Sequence, residues 1–158
     1  MTCHRSLFLL LLAFATLGGA AARAQTEAPA QYCKRVGTDD TLRPVPASLA
    51  PEVRRAFSLQ MPDDMVMQTS QFRCMADAVM VCTAGANLPC GKAKTSRSLP
   101  AAGQYCREHP DSEVVPMVVT GHDTIYHWRC AGTSAVAGDT VEQLDARGFF
   151  VRFWRRAE

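Results

Sequence analysis

Six cysteines constrain this chain more than any other feature: Cys33, Cys74, Cys82, Cys90, Cys106 and Cys130 span nearly all of it beyond the first thirty residues. An even set like this reads as a disulfide framework in an oxidising compartment and as thiol chemistry elsewhere. The start of the chain decides between the two. Met1 to Ser6 carries Arg5, Leu7 to Ala22 is almost wholly apolar, and the run ends in Ala22, Arg23 and Ala24. A basic start, an apolar run and a small-x-small end form the three-part layout of a secretory signal peptide. The run falls short of the roughly 20 apolar residues a spanning helix needs, and Gly18 and Gly19 loosen its end. We therefore expect residues 1–24 to be removed after Ala24, leaving no stable membrane span and a periplasmic or secreted protein. The seventh cysteine, Cys3, leaves with that leader.

Charge narrows the partners. Arg5 and Arg23 depart with the leader, so the 17 basic residues fall to match the 15 acidic ones. A neutral mature chain lacks the basic excess of a general nucleic-acid or anionic-membrane binder. Arg147, Arg152, Arg155 and Arg156 cluster near the end, and Asp39, Asp40, Asp63 and Asp64 form acidic pairs; such runs usually solvate a face.

Punctuation sets the expected organisation. Residues 25–46, with Pro29, Gly37, Pro44 and Pro46, read as an irregular lead-in, and residues 47–158 as one disulfide-bonded domain. Ser48 to Leu59 fits a helix with Pro51 in its first turn and Pro62 as a stop. Asp64 to Cys74 and Val79 to Thr83 read as strands around a turn at Ala76 and Asp77. Gly85 to Pro100 reads as a long loop, and residues 101–109 as a short helix. Pro116 leaves Val114 to Val119 ambiguous. Thr124 to Cys130 reads as a strand with Tyr126, Trp128 and Cys130 on one face. Val136 to Leu144 and Phe149 to Trp154 read as further strands, with a turn at Asp145 to Gly148. The expected class is α+β: a small antiparallel meander with short helices, stapled by disulfides.

A faint internal echo suggests the pairing. Gln31-Tyr32-Cys33 recurs as Gln104-Tyr105-Cys106, and Phe72-Arg73-Cys74 as Trp128-Arg129-Cys130. Echoes of this kind can mark a duplicated unit. On that reading the pairs are Cys33–Cys74, Cys106–Cys130 and, by remainder, Cys82–Cys90.

Candidate sites are few. His122 and Asp123 are neighbours and offer a base with an orienting carboxylate, the basis for a small envelope hydrolase; no serine elbow accompanies them. Met61, Met65 and Met67 offer thioethers suited to Cu(I), although two on one strand face would more simply fill a core. His127 and Cys130 fall on opposite strand faces, so no metal site and no cofactor is expected. Bridged cysteines leave no thiol nucleophile. A loop pinned by a disulfide and carrying Lys92, Lys94 and Arg97 is the favoured contact surface. These readings favour a non-enzymatic binding protein with an envelope-protein or cell-wall partner.

The runs Phe72 to Cys74, Val81 to Gly91, Thr120 to Cys130 and Asp145 to Phe149 resemble an uncharacterised group of small exported, disulfide-bonded bacterial envelope proteins. The resemblance spans most of the mature chain. It implies an envelope location and carries no activity with it.

Overall fold

A computed structural model describes residues 27–85 and 89–157; the expected leader and residues 86–88, at the start of the expected Gly85 to Pro100 loop, lie outside them. Helix α1 is Pro29–Val36, strand β1 Asp39–Pro44, helix α2 Ala50–Phe57 and helix α3 Asp63–Thr69. Strands β2, Ser70–Met75, and β3, Ala78–Thr83, form a hairpin. Then come α4 (Pro100–Glu108), α5 (Met117–Thr120), β4 (Tyr126–Ala131), β5 (Ser134–Thr140), a 3-10 turn at Val151–Phe153, and β6 (Arg155–Arg156). The class is the expected α+β, but the strands form two antiparallel sheets, ordered β1-β2-β3-β6 and β4-β5, rather than one meander. Among the described residues no helix is long and apolar enough to cross a membrane.

Three local expectations are corrected. Residues 29–44 are not irregular. Pro29 starts α1 where its missing N–H costs nothing, Gly37 ends it at φ 73°, and Pro44 closes β1. The punctuation marks the ends of ordered elements, and Cys33 between them is fully buried. Residues 63–69 are helical, not extended. Asp63 and Asp64 sit in the first turn behind Pro62, where the helix dipole favours carboxylates. Val66 alone of α3 is buried, and Met65 is 47% exposed. Residues 149–154 are not a strand. Phe149, Phe150, Phe153 and Trp154 are all buried, which an alternating strand cannot achieve against one core. The 3-10 turn instead swings all four rings into one cluster with Ile125, Cys82 and Cys90.

The cysteines pair as the echo suggests, Cys33–Cys74, Cys82–Cys90 and Cys106–Cys130, and the two halves are built alike. Each has a helix, an extended segment, a Val-Pro turn and a hairpin, with a disulfide from helix to first hairpin strand. Val45-Pro46 and Val115-Pro116 mark the shared turn: the Leu49 N–H donates to the Pro46 carbonyl and the Val119 N–H to the Pro116 carbonyl, both at 2.9 Å. Val45 and Val115 are both buried. The hairpin registers correspond. Cys74 lies opposite Val79 and Arg73 opposite Met80; Cys130 lies opposite Ala135 and Arg129 opposite Val136. Two-residue turns close both: Ala76 and Asp77, both at positive φ, and Gly132 with Thr133. Positive φ at Ala76, Asp77 and Gly132 matches the twist of the strands they join.

The halves differ in what covers them. The first unit carries α2 and α3 on its hairpin, and the aromatic tail closes its other side. There β6 pairs with the outer edge of β3, Val81 opposite Arg155 and Met80 opposite Arg156. The second unit has its own core of Ala102, Cys106, Val115, Trp128 and Cys130.

Candidate functional site

The residues expected to form a contact loop are tied to the body of the protein. Lys92 Nζ lies 2.8 Å from Asp40 Oδ2, a carboxylate that also binds Arg147 at 2.9 Å. Lys94 Nζ pairs with Asp123 at 3.0 Å, and its backbone N–H donates to the Asp123 carbonyl. Arg97 stacks 4.6 Å from the Tyr126 ring centroid and donates to the Ala137 carbonyl at 3.0 Å. The three cations therefore do not converge on one ligand. Asp123 serves Lys94, and His122 has no side-chain hydrogen-bond partner among the described residues. The neighbours do not form an oriented base. Met61 and Met67 pack against the first core while Met65 is exposed. His109 stacks on Tyr105, their ring centroids 4.4 Å apart. Among the described residues no group of three or more histidines, cysteines and carboxylates could hold a metal ion.

A concavity of about 680 Å³ lies elsewhere among the described residues, in the first unit. Glu27, Pro29 and Tyr32 at the start of α1 form one wall; Arg43 to Ser48 form the other, and Phe72 lies at the base. Pro29, Pro44 and Pro46 fix φ along both walls, so the groove is shaped before anything enters it. Volumes of this order suit ligand sites, with apolar walls and a few polar groups. Sequence reading missed it because its residues lie in the stretch taken as irregular; the signal was three prolines flanking two short periodic segments.

A charged cluster braces one wall. The Tyr32 hydroxyl donates to Asp39, and Arg43 reaches the same carboxylate at 3.0 Å while lying 4.4 Å from the Tyr32 ring centroid. The Tyr32 hydroxyl, the Thr41 N–H and Arg43 hold the Asp39 carboxyl far below the usual carboxylate range. Its hydrogen bond to Asp39 pushes the Tyr32 hydroxyl up. Neither group suits proton transfer near neutrality, so the cluster acts as a brace. A depressed folded pKa gives stability that is complete above the unfolded value, about 3.9, and is lost as pH falls through the folded value. We expect stability to fall below about pH 4, and more steeply than in Asp39→Asn. Urea midpoints measured from pH 7 to pH 2 check this; parallel curves would contradict it.

A second charge sits deeper. Arg73 is 1% exposed, set in the corner formed by the edge-on rings of Phe149 and Trp154, 4.1 and 4.6 Å from their centroids, and ion-paired with Asp145. It is closed off from solvent, and the arrangement is an internal clamp that fastens the tail to the first unit.

Comparison with protein-family models, with curated proteins and with solved structures finds no match to this chain.

Proposed function

We propose that this chain is an exported, non-enzymatic binding protein of the periplasm or the surrounding medium, and that the proline-walled groove holds an apolar group of its envelope-protein or cell-wall partner. The carrying observation is the groove itself, preformed by its prolines, of ligand size, and mostly apolar, with Glu27, Tyr32, Arg43 and Ser48 as its polar lining. Three disulfides support the oxidising compartment, and the leader-like start supports export. The paired loop cations and the unoriented His122 give no comparable support to a hydrolase, and the methionines, two packed against the core and Met65 exposed away from them, give none to a copper carrier.

The test is photocrosslinking in the exporting cell with benzoylphenylalanine at Ala47, in the groove wall, and at Asp77, in the first hairpin turn. We expect a discrete adduct from position 47 and none from position 77. Filling the groove with Ser48→Trp should weaken capture about tenfold, some 1.4 kcal/mol of binding. Equal labelling from both positions, or none from position 47, would overturn the proposal.

A further inference from the structure

The likeness of the two units exposes a vacancy in the second. In the first hairpin the outward backbone groups of β3 are paired: the Ala157 N–H donates to the Val79 carbonyl at 2.9 Å, and Val81 lies opposite Arg155. The register makes Ala135 the counterpart of Val79 and Ala137 that of Val81. Yet β5 ends its sheet, with no strand beyond it among the described residues. Proteins usually blunt such edges with lysine, proline or a covering segment; the seven residues of β5, Ser134–Thr140, contain neither lysine nor proline.

What lies beside that edge is a second concavity of about 420 Å³, lined by Thr133, Ser134 and Ala135 of the hairpin and by Arg97, Gly103 and Arg107 across from them. Its charge is one-sided. Arg107 has no side-chain partner among the described residues, and Arg97 spends a guanidinium N–H on the outward carbonyl of Ala137. A side chain thus supplies the donor that a neighbouring strand would supply. Of the nearby carboxylates, Glu108 is engaged by Gln104 and Asp111 by the Gly132 N–H at 2.7 Å, while Asp139, two residues beyond Ala137 on β5, is exposed and lies outside the concavity.

We infer that the outer edge of β5 takes an extended acidic peptide by strand addition. The added strand pairs with the backbone of Ala135 and, displacing the Arg97 guanidinium from the Ala137 carbonyl, with that of Ala137, and lays alternate carboxylates against the released Arg97 and against Arg107. Strand addition draws affinity from main-chain hydrogen bonds and selectivity from every second side chain. An open edge explains the first half of that and the two arginines the second. The site is separate from the proline-walled groove, and the groove reading can fail without touching it.

The probe is a fluorescein-labelled seven-residue peptide alternating glutamate with valine or threonine, titrated into the disulfide-bonded mature chain at low salt. A lysine-for-glutamate version and a version N-methylated at alternate amides serve as controls. We expect saturable binding of the glutamate peptide, with amide NMR shifts centred on Ala135 and Ala137. The affinity should fall at least about tenfold in Arg97→Ala/Arg107→Ala and on N-methylation, and be unchanged in Ser48→Trp; tenfold corresponds to about 1.4 kcal/mol. Both arginines are surface residues, and the circular dichroism of the double variant confirms that it folds. No binding of the glutamate peptide, equal binding of the lysine peptide, or shifts that avoid β5 would overturn the inference.

Discussion

Asp145→Ala should destabilise the protein by about 3–5 kcal/mol, the usual cost of leaving one member of a buried ion pair alone. Arg73 is nearly inaccessible, and among the described residues it has only this carboxylate as its counter-charge and no acceptor for its Nε and Nη1. The rings of Phe149 and Trp154 supply quadrupole attraction, worth about 2 kcal/mol or more when desolvated, which does not replace an ion partner. Asp145 also organises the chain locally, because its other oxygen accepts the N–H groups of Arg147 at 2.8 Å and Phe149 at 3.0 Å. The compensated variant separates the two contributions. Adding Arg73→Met to Asp145→Ala should recover much of the loss, since an apolar chain in that slot carries no charge to bury. A urea series on the three proteins checks this, and an Asp145→Ala loss below about 1 kcal/mol, the range of an exposed pair, would show that Arg73 is not held as described.

The second large effect concerns the staples. Chain-entropy arithmetic for spans of 41, 24 and 8 residues gives about 4, 3.5 and 2.5 kcal/mol for Cys33–Cys74, Cys106–Cys130 and Cys82–Cys90. A domain's total stability is about 5–15 kcal/mol. Serine pairs at positions 33 and 74 should therefore lower the urea midpoint most and those at 82 and 90 least. The consequence is sharper than the ranking. Each unit joins a short helix to a hairpin through one bridge, and helices of 8 and 9 residues do not persist alone in water. Removing Cys106–Cys130 should release α4 while the first unit, with its separate core, stays folded. Hydrogen exchange would show fast amides over residues 100–108 and protected ones over β2 and β3; uniform loss of protection would mean that the units do not fold separately.

Much of this architecture could be read from the chain because disulfides and hairpins leave local marks. The Gln-Tyr-Cys and aromatic-Arg-Cys echoes named both long bridges, and the alternation in Tyr126, Trp128 and Cys130 named the buried face of β4. The failures have a common cause. Prolines and glycines between residues 29 and 46 were read as disorder when they mark element ends, and the distinction depends on Cys33 being drawn into a core by Cys74, 41 residues away. The alternation of Met65 and Met67 spoke for a strand, while the acidic pair behind Pro62 spoke for a helix start and prevailed. The tail was mistaken for a strand because consecutive Phe149 and Phe150 give no hint that both turn inward, Phe149 onto Arg73 and Phe150 onto Phe153. The site was less legible still. Lys92, Lys94 and Arg97 are exposed in sequence terms, but their partners Asp40, Asp123 and Tyr126 lie far along the chain. Of the residues first considered for binding, Arg97 alone lines one of the two concavities, and the other, Arg107, is an ordinary helix residue until β5 stands beside it.

The central claim is an exported chain of two like units, each closed by its own bridge. Intact mass and non-reducing peptide mapping of the protein recovered from the periplasm or medium test it most directly. The account predicts a chain beginning at Gln25, no alkylatable thiol, and peptides joined as Cys33–Cys74, Cys82–Cys90 and Cys106–Cys130. A retained segment from Leu7 to Ala22, free thiols, or Cys74 joined to Cys82 would contradict it.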